Sequence, residues 1–235
     1  MRIAMWSGPR NLSTAMMYAF GSRPDFAVWD EPFYAAYLAN TNDPHPLQDE
    51  IVENEESDPR IVAHRCIGPI PENKPNFYMK HMAHHMIETF PLDWSKSCTN
   101  IHLIRHPARV IASYSVKRGF PTLDDIGFKQ QAAIFDLVGG LIVDSADIRD
   151  NPGLALMRIC QEVGLRFDEA MLAWPRGGHA SDGTWAPHWY GAVHKSAGFA
   201  GPEGPMPKLD NDSQNLADAA MPWYHSMYER KLKIN

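Results

Sequence analysis

Five short apolar runs punctuate the chain: Ile3–Trp6, Phe26–Trp29, Phe77–Lys80 with its charged last residue, Asn100–Ile104 and Leu141–Asp144. Each is too short for a buried helix and is followed by turn or polar residues, so each reads as a buried strand. Between them the spacing turns helical. Ser13 opens a stretch carrying Ala15, Met16, Met17, Tyr18, Ala19 and Phe20, with Gly21 beyond it. Phe33 to Leu38, Pro107 to Val116 and Asp124 to Leu137 have helical composition, the second with proline in its first turn. Asn151-Pro152 is a cap followed by proline, and it starts a helix that runs to Val163 with Gly164 as its stop. A short helix is expected over Asp168–Leu172 and a terminal one over Leu216–Lys233, whereas Trp174–Pro207, rich in Gly, Pro and aromatics, reads as irregular. Strands alternating with helices predict an α/β three-layer sandwich around a mainly parallel sheet of about five strands. Neither an internal repeat nor a linker divides the pattern, so residues 1–235 are expected to form a single domain.

Composition narrows the classes. The 235 residues are 44% hydrophobic, ordinary for a globular protein, and contain no apolar run of about 18 residues, so no membrane span is expected. The apolar stretch before Arg10 is too short for a signal peptide. Three scattered cysteines, Cys66, Cys98 and Cys160, form neither a disulfide framework nor a zinc motif, and a cytoplasmic location is expected. The net charge is -6, but it is unevenly placed: ten acids and no Lys or Arg lie between Pro24 and Pro59, leaving 18 acids against 22 bases elsewhere. The segment at about 41–59, with Asp43 to Asp58, is therefore expected to be an acidic surface excursion from a mildly basic body. That body lacks the dense basic face of a nucleic-acid binder but suits a small anionic ligand.

The sharpest motif is Ser7-Gly8-Pro9-Arg10-Asn11-Leu12-Ser13-Thr14, between the first strand and its helix. Free N–H groups of a first helical turn and the helix dipole favour an anion there, Ser13 and Thr14 add hydroxyl donors, and Arg10 adds a forked cation. The spacing approaches a Walker A loop, but Ser13 and Thr14 stand where its Gly and Lys belong. A second element, Ile101 to Tyr114, is a strand ending in Arg105, then His106-Pro107, then a helix bearing Arg109 and Ser113. Arg105 and Ser113 can turn toward one anionic group.

On these two elements the chain resembles the sulfotransferases that use 3′-phosphoadenosine 5′-phosphosulfate (PAPS), a branch of the P-loop NTPase-like fold. The resemblance implies that the first loop wraps the 5′-phosphosulfate, with Arg10 at the cationic place, Asn11 and Leu12 at the family's Ser and Gly, and Ser13 and Thr14 as the hydroxyls. It implies that Arg105 and Ser113 hold the 3′-phosphate. Leu12 replaces a glycine, so a wider loop or a different ligand is expected, and His106 replaces an aspartate. Lys195, Ser196 and Gly198 resemble the family's late nucleotide-closing loop without matching its strict form. The implied activity is sulfuryl transfer from PAPS to a hydroxyl of a small acceptor, with no metal.

That chemistry needs a base. Glu31, at the end of the second strand, is the candidate, although a Glu before Pro near a helix start is also a favourable dipole position. His81 is the alternative base, and Lys80 is placed to assist the leaving group. His81, His84 and His85 lack a further ligand at a fitting spacing, so no metal is expected. Tryptophans of the late segment can stack an adenine or line an acceptor pocket, with Trp174 and Trp223 read as core. Two rivals remain: a kinase- or NTPase-like nucleotide-phosphate enzyme, and a non-catalytic binding protein on the same fold. Oligomeric state is not readable.

Overall fold

The computed structural model describes residues 1–41 and 45–234; Asp43, counted above in the acidic excursion, lies outside them. Five strands, β1 (Arg2–Ser7), β2 (Phe26–Asp30), β3 (Asn76–Met82), β4 (Thr99–Ile104) and β5 (Leu141–Asp144), form one parallel sheet in the order β2-β3-β1-β4-β5. Twelve helices are described: α1 (Ser13–Gly21), α2 (Tyr34–Asn40), α3 (Gln48–Asn54), α4 (Pro59–Ile67), α5 (Pro107–Arg118), α6 (Leu123–Ile126), α7 (Phe128–Val138), α8 (Ser145–Asp150), α9 (Pro152–Glu162), α10 (Ala186–Trp189), α11 (Gly191–His194) and α12 (Asn211–Tyr228). The expected α/β sandwich with a five-stranded parallel sheet is present.

Alternation along β1 explains the three layers. Ile3 and Met5 face a core built with α1 and α9, including Met16, Phe20, Leu156 and Ile159. Ala4 and Trp6 face the opposite core, with Val62, Cys66, Phe33 and Trp94. A third cluster joins β4 and β5 to α5, α7 and α12 through Ile104, Ile111, Ile142 and Tyr224. Because β1 is central and its chain leaves first toward β2 and later, from β3, across to β4, the sheet has a switch point at the carboxyl end of β1, where open α/β sheets place ligands.

Local chemistry accounts for several departures. The stretch Asp124–Leu137 is two helices rather than one, because Gly127, at φ 68°, breaks the ladder between α6 and α7. The terminal helix starts earlier than expected, at Asn211, where the Asp210 carboxylate accepts from the Ser213 N–H at 2.8 Å, and ends at Tyr228. Within the irregular late segment lie the single-turn helices α10 and α11. The acidic excursion is no simple solvated loop: it contains α3, whose Ile51 is fully buried against Tyr34, Leu38 and Trp185.

Candidate active site

Chain geometry at the carboxyl end of β1 follows from its sequence. Gly8 is obligatory there, since a Cβ would lie 2.6 Å from the Ile126 carbonyl oxygen. Arg10 and Leu12 then take left-handed φ values of 62° and 70°. Leu12 thus adopts the conformation a glycine would supply, and its side chain packs on the core beneath α1. Asn11, almost completely buried, donates from Nδ2 to the Leu103 carbonyl at 3.1 Å and ties the loop to β4. No side chain caps α1, so its first-turn N–H groups remain available to an anion.

A cleft of about 390 Å³ opens over this loop, lined by Arg10–Thr14, Glu31, Lys80, Arg105 and Ser113 among others. The two sequence motifs meet in it directly. Arg10 Nε donates to Ser113 Oγ at 2.9 Å, and Arg105 Nη1 donates to the Arg10 carbonyl at 2.7 Å. Burial and the neighbouring Arg105 hold Arg10 below its ordinary value; burial does the same to Arg105, with Glu203 acting in opposition. Crowded guanidinium groups of this kind favour an anionic guest. His106, at the place of the family's aspartate, caps α5 by accepting the Ala108 N–H at Nδ1, 3.2 Å away. Burial and Arg109 lower its value, which keeps the ring neutral and able to accept.

At the end of β2 lies a buried cluster of charge. Lys80 donates to Asp30 at 2.9 Å, to Glu31, and to the Tyr190 hydroxyl at 2.6 Å. Tyr190 Oη also receives Trp185 Nε1 at 3.0 Å and lies 2.8 Å from Asp30 Oδ2. Burial pushes Glu31 above the usual carboxylate range, against the pull of Lys80; burial alone would lower Lys80, but the Asp30 and Glu31 carboxylates outweigh it and raise the ammonium. Glu31 Oε1 takes these bonds, whereas Oε2 lies 3.9 Å from His85 Nδ1. His85 stacks on Tyr34 with ring centroids 4.6 Å apart, and burial holds it neutral.

Two expected site residues are not brought to the cleft. His81 points to the opposite core, stacked on Trp6 at 4.6 Å and beside Trp94, and burial lowers it to about 3. Lys195 is exposed and its carbonyl accepts from Arg176. Ser196 and Gly198 line the cleft, although the Ser196 hydroxyl is engaged by Trp174 and Val193. Lys80 does line it, yet its ammonium is committed to two carboxylates rather than open to a leaving group. Sequence reasoning gave no role to Asp30, Tyr190, Arg118 and Arg149 and weighed His85 only as a metal ligand. Asp30 stood beside Glu31 in Trp29-Asp30-Glu31-Pro32; nothing local distinguishes Tyr190, which arrives from far along the chain.

The family profile described as a sulfotransferase domain matches residues 1–231. The chain belongs to the sulfotransferase family. The solved sulfotransferases agree with it in fold. The sulfotransferase domain from the curacin biosynthetic pathway shares 16% identity, covers 93% of this chain and 96% of its own, and superposes with a TM-score of 0.55. A sulfotransferase from Alicyclobacillus acidocaldarius shares 9% identity over 98% of this chain and 96% of its own, with a TM-score of 0.53. Among curated relatives, branched-chain-amino-acid aminotransferase-like proteins 2 and 1 of Arabidopsis thaliana are 30% and 29% identical over 229 and 228 residues, 95% of this chain in each case. The sulfotransferase chain spans only 40% and 41% of those relatives' lengths. No helix among its described residues is long and apolar enough to cross a membrane.

Proposed function

We propose that this sulfotransferase uses PAPS as its donor and a hydroxyl group of a small molecule as its acceptor. The observation that carries the reading is the direct junction of the two motifs, Arg10 on Ser113 and Arg105 on the Arg10 carbonyl, in one cleft over an uncapped helix start. The donor set fits a doubly phosphorylated nucleotide: Arg10, Ser13, Thr14 and the first N–H groups of α1 for the 5′-phosphosulfate, Arg105 and Ser113 for the 3′-phosphate. When bound, the donor supplies a sulfuryl group, whose transfer forms a bond from sulfur to the acceptor oxygen and breaks the bond from sulfur to the phosphate oxygen. Glu31 accepts the acceptor's hydroxyl proton at Oε2, the oxygen that Lys80 and Tyr190 leave unengaged. A carboxylate raised by burial is a stronger base than an exposed one. Lys80, itself held by Asp30, positions Glu31 and favours its ionised form, whereas the Asp30 carboxylate opposes it. Arg10 and the α1 dipole stabilise charge gathering on the leaving phosphate. Tyr34, Tyr114 and Trp189 line the cleft as an aromatic wall for the acceptor, with Arg118 stacked over Trp189. Lys195, outside the cleft, has no part in this reading.

Calorimetry with adenosine 3′,5′-bisphosphate and with ATP tests the donor. Binding of the bisphosphate that falls by at least about tenfold in Arg105→Ala is expected; binding of ATP alone, dependent on magnesium, would overturn the reading in favour of a kinase-like enzyme. For the base, Glu31→Gln is expected to lower turnover by about 10²- to 10⁴-fold while the bisphosphate still binds. Unchanged turnover removes Glu31 from that role.

A further inference from the structure

The anion seat of the cleft already contains an anion. Arg105, Arg109 and Arg149 converge on one carboxylate, that of Glu203, which comes from the loop between Phe199 and Lys208. Arg105 Nε donates to Glu203 Oε1 at 2.7 Å, Arg149 Nη1 lies 3.1 Å from the same oxygen, and Arg109 Nε lies 2.9 Å from Oε2. Two of these arginines also grip the loop's backbone: Arg149 Nε donates to the Gly201 carbonyl at 2.8 Å and Arg109 Nη2 to the Gly204 carbonyl at 2.6 Å. The Glu203 side chain is only 5% exposed, whereas Gly201, Pro202, Gly204 and Pro205 around it are all exposed. Arg105 and Arg149 line the cleft.

Three cations around one carboxylate leave an excess of positive charge. A phosphate dianion brings twice the charge and three acceptor oxygens, so it competes well for these guanidinium groups, whereas a ligand without that group has nothing to exchange for the carboxylate. The sequence Gly201-Pro202-Glu203-Gly204-Pro205 suits such an exchange, because both glycines are free of contacts at their Cβ positions and the loop is otherwise solvated.

We propose that Glu203 is a specificity-determining residue that occupies the 3′-phosphate seat and is displaced by it, so that only a donor carrying a 3′-phosphate gains full access to Arg105. This rests on the PAPS reading above. Its consequence is selectivity at a cost in affinity: a ligand that takes the 3′-phosphate seat must first replace an internal ion pair.

Calorimetry on the full chain and on Glu203→Gln tests it. The variant is expected to bind adenosine 3′,5′-bisphosphate at least about tenfold more tightly, with less than about twofold change for adenosine 5′-monophosphate. Equal or weaker binding of the bisphosphate by the variant overturns the proposal. The unaltered protein supplies a second readout should the variant not fold. Adenosine 3′,5′-bisphosphate is expected to accelerate cleavage after Glu203 by a glutamyl-specific protease, and protection of that bond overturns the idea. If the bisphosphate binds neither protein, the donor reading falls, and the seat is then judged with inorganic phosphate alone. A larger rise in Tm of Glu203→Gln than of the unaltered protein supports an occupied anion seat; an equal rise in both, or none in either, overturns it.

Discussion

Lys80 is a cation with almost no solvent contact, held between the carboxylates of Asp30 and Glu31. Removing one member of a buried ionic group strands the others, which costs about 3–5 kcal/mol, far more than loss of a surface pair. Lys80→Met is therefore expected to lower the unfolding free energy by about that amount in urea titration. A variant that lost activity at unchanged stability would instead restore the leaving-group role suggested by the strand end alone. The difference shows where residue-level reading stops. Glu31 and Lys80 were both legible as strand-end polar groups, because an open α/β sheet presents its chemistry there. Their mutual pairing was not, since it depends on the β2–β3 register, Asp30 opposite Lys80, and on a phenol from residue 190. Leu12 teaches the converse: side-chain identity argued for a widened loop, but the backbone accepts a left-handed leucine at φ 70°.

Among the elements, all five strands were legible to within about two residues, because a strand covered on both faces reads as an uninterrupted apolar run. Helices α4 and α8 were not anticipated. The first is short and leaves Ile61 and Ile67 exposed, with only Val62, Ala63 and Cys66 buried; the second follows β5 directly, without a turn residue to mark it. The acidic window was legible in its exposed acids, Asp49, Glu50, Glu53 and Asp58, but not in its packing. Its charge argued for solvation, yet α3 is anchored by Ile51, inserted between α2 and Trp185, with Val52 partly buried beside it. Ile51→Ala is expected to cost about 2–4 kcal/mol by cavity formation, measured as a shift of the urea midpoint at constant slope. A change below about 0.5 kcal/mol would return the segment to the solvated class. From this excursion His45 reaches the cleft, 2.6 Å from the Tyr34 hydroxyl, while Asp49, Glu50 and Glu53 are absent from its lining. Those three acids thus stay away from the cleft wall, where Arg118 lies with its guanidinium 5.0 Å from the Trp189 ring.

Over the whole molecule, burial has left several histidines neutral. His81 is lowered to about 3, His102 to about 4, and His85 well below its ordinary value, each chiefly by desolvation. Below the unfolded value of about 6.5 the unfolded chain takes up these protons and the folded one does not, so stability falls as pH falls, by up to about 1.4 kcal/mol per pH unit for each histidine. Glu31 and Asp144, raised chiefly by burial, act in the opposite direction over their own range. His106 is lowered and Glu55 raised in the same two ways, so four histidines stand against three carboxylates, and the urea midpoint is expected to fall between about pH 7.5 and about pH 5.5; a flat or rising midpoint would mean that the carboxylates dominate. The strand order carries a different consequence, for folding rather than for chemistry. β3 lies between β2 and β1, so neither of the first two strands has a sheet partner until β3 exists: Arg2 awaits Phe77, and Phe26 awaits Asn76. A nascent chain that stops short of β3 carries two apolar strands with open edges, which is an invitation to aggregate. β3 is thus the seam at which the sheet closes, and substitutions of Phe77 or Met79 are expected to slow refolding more than they hasten unfolding.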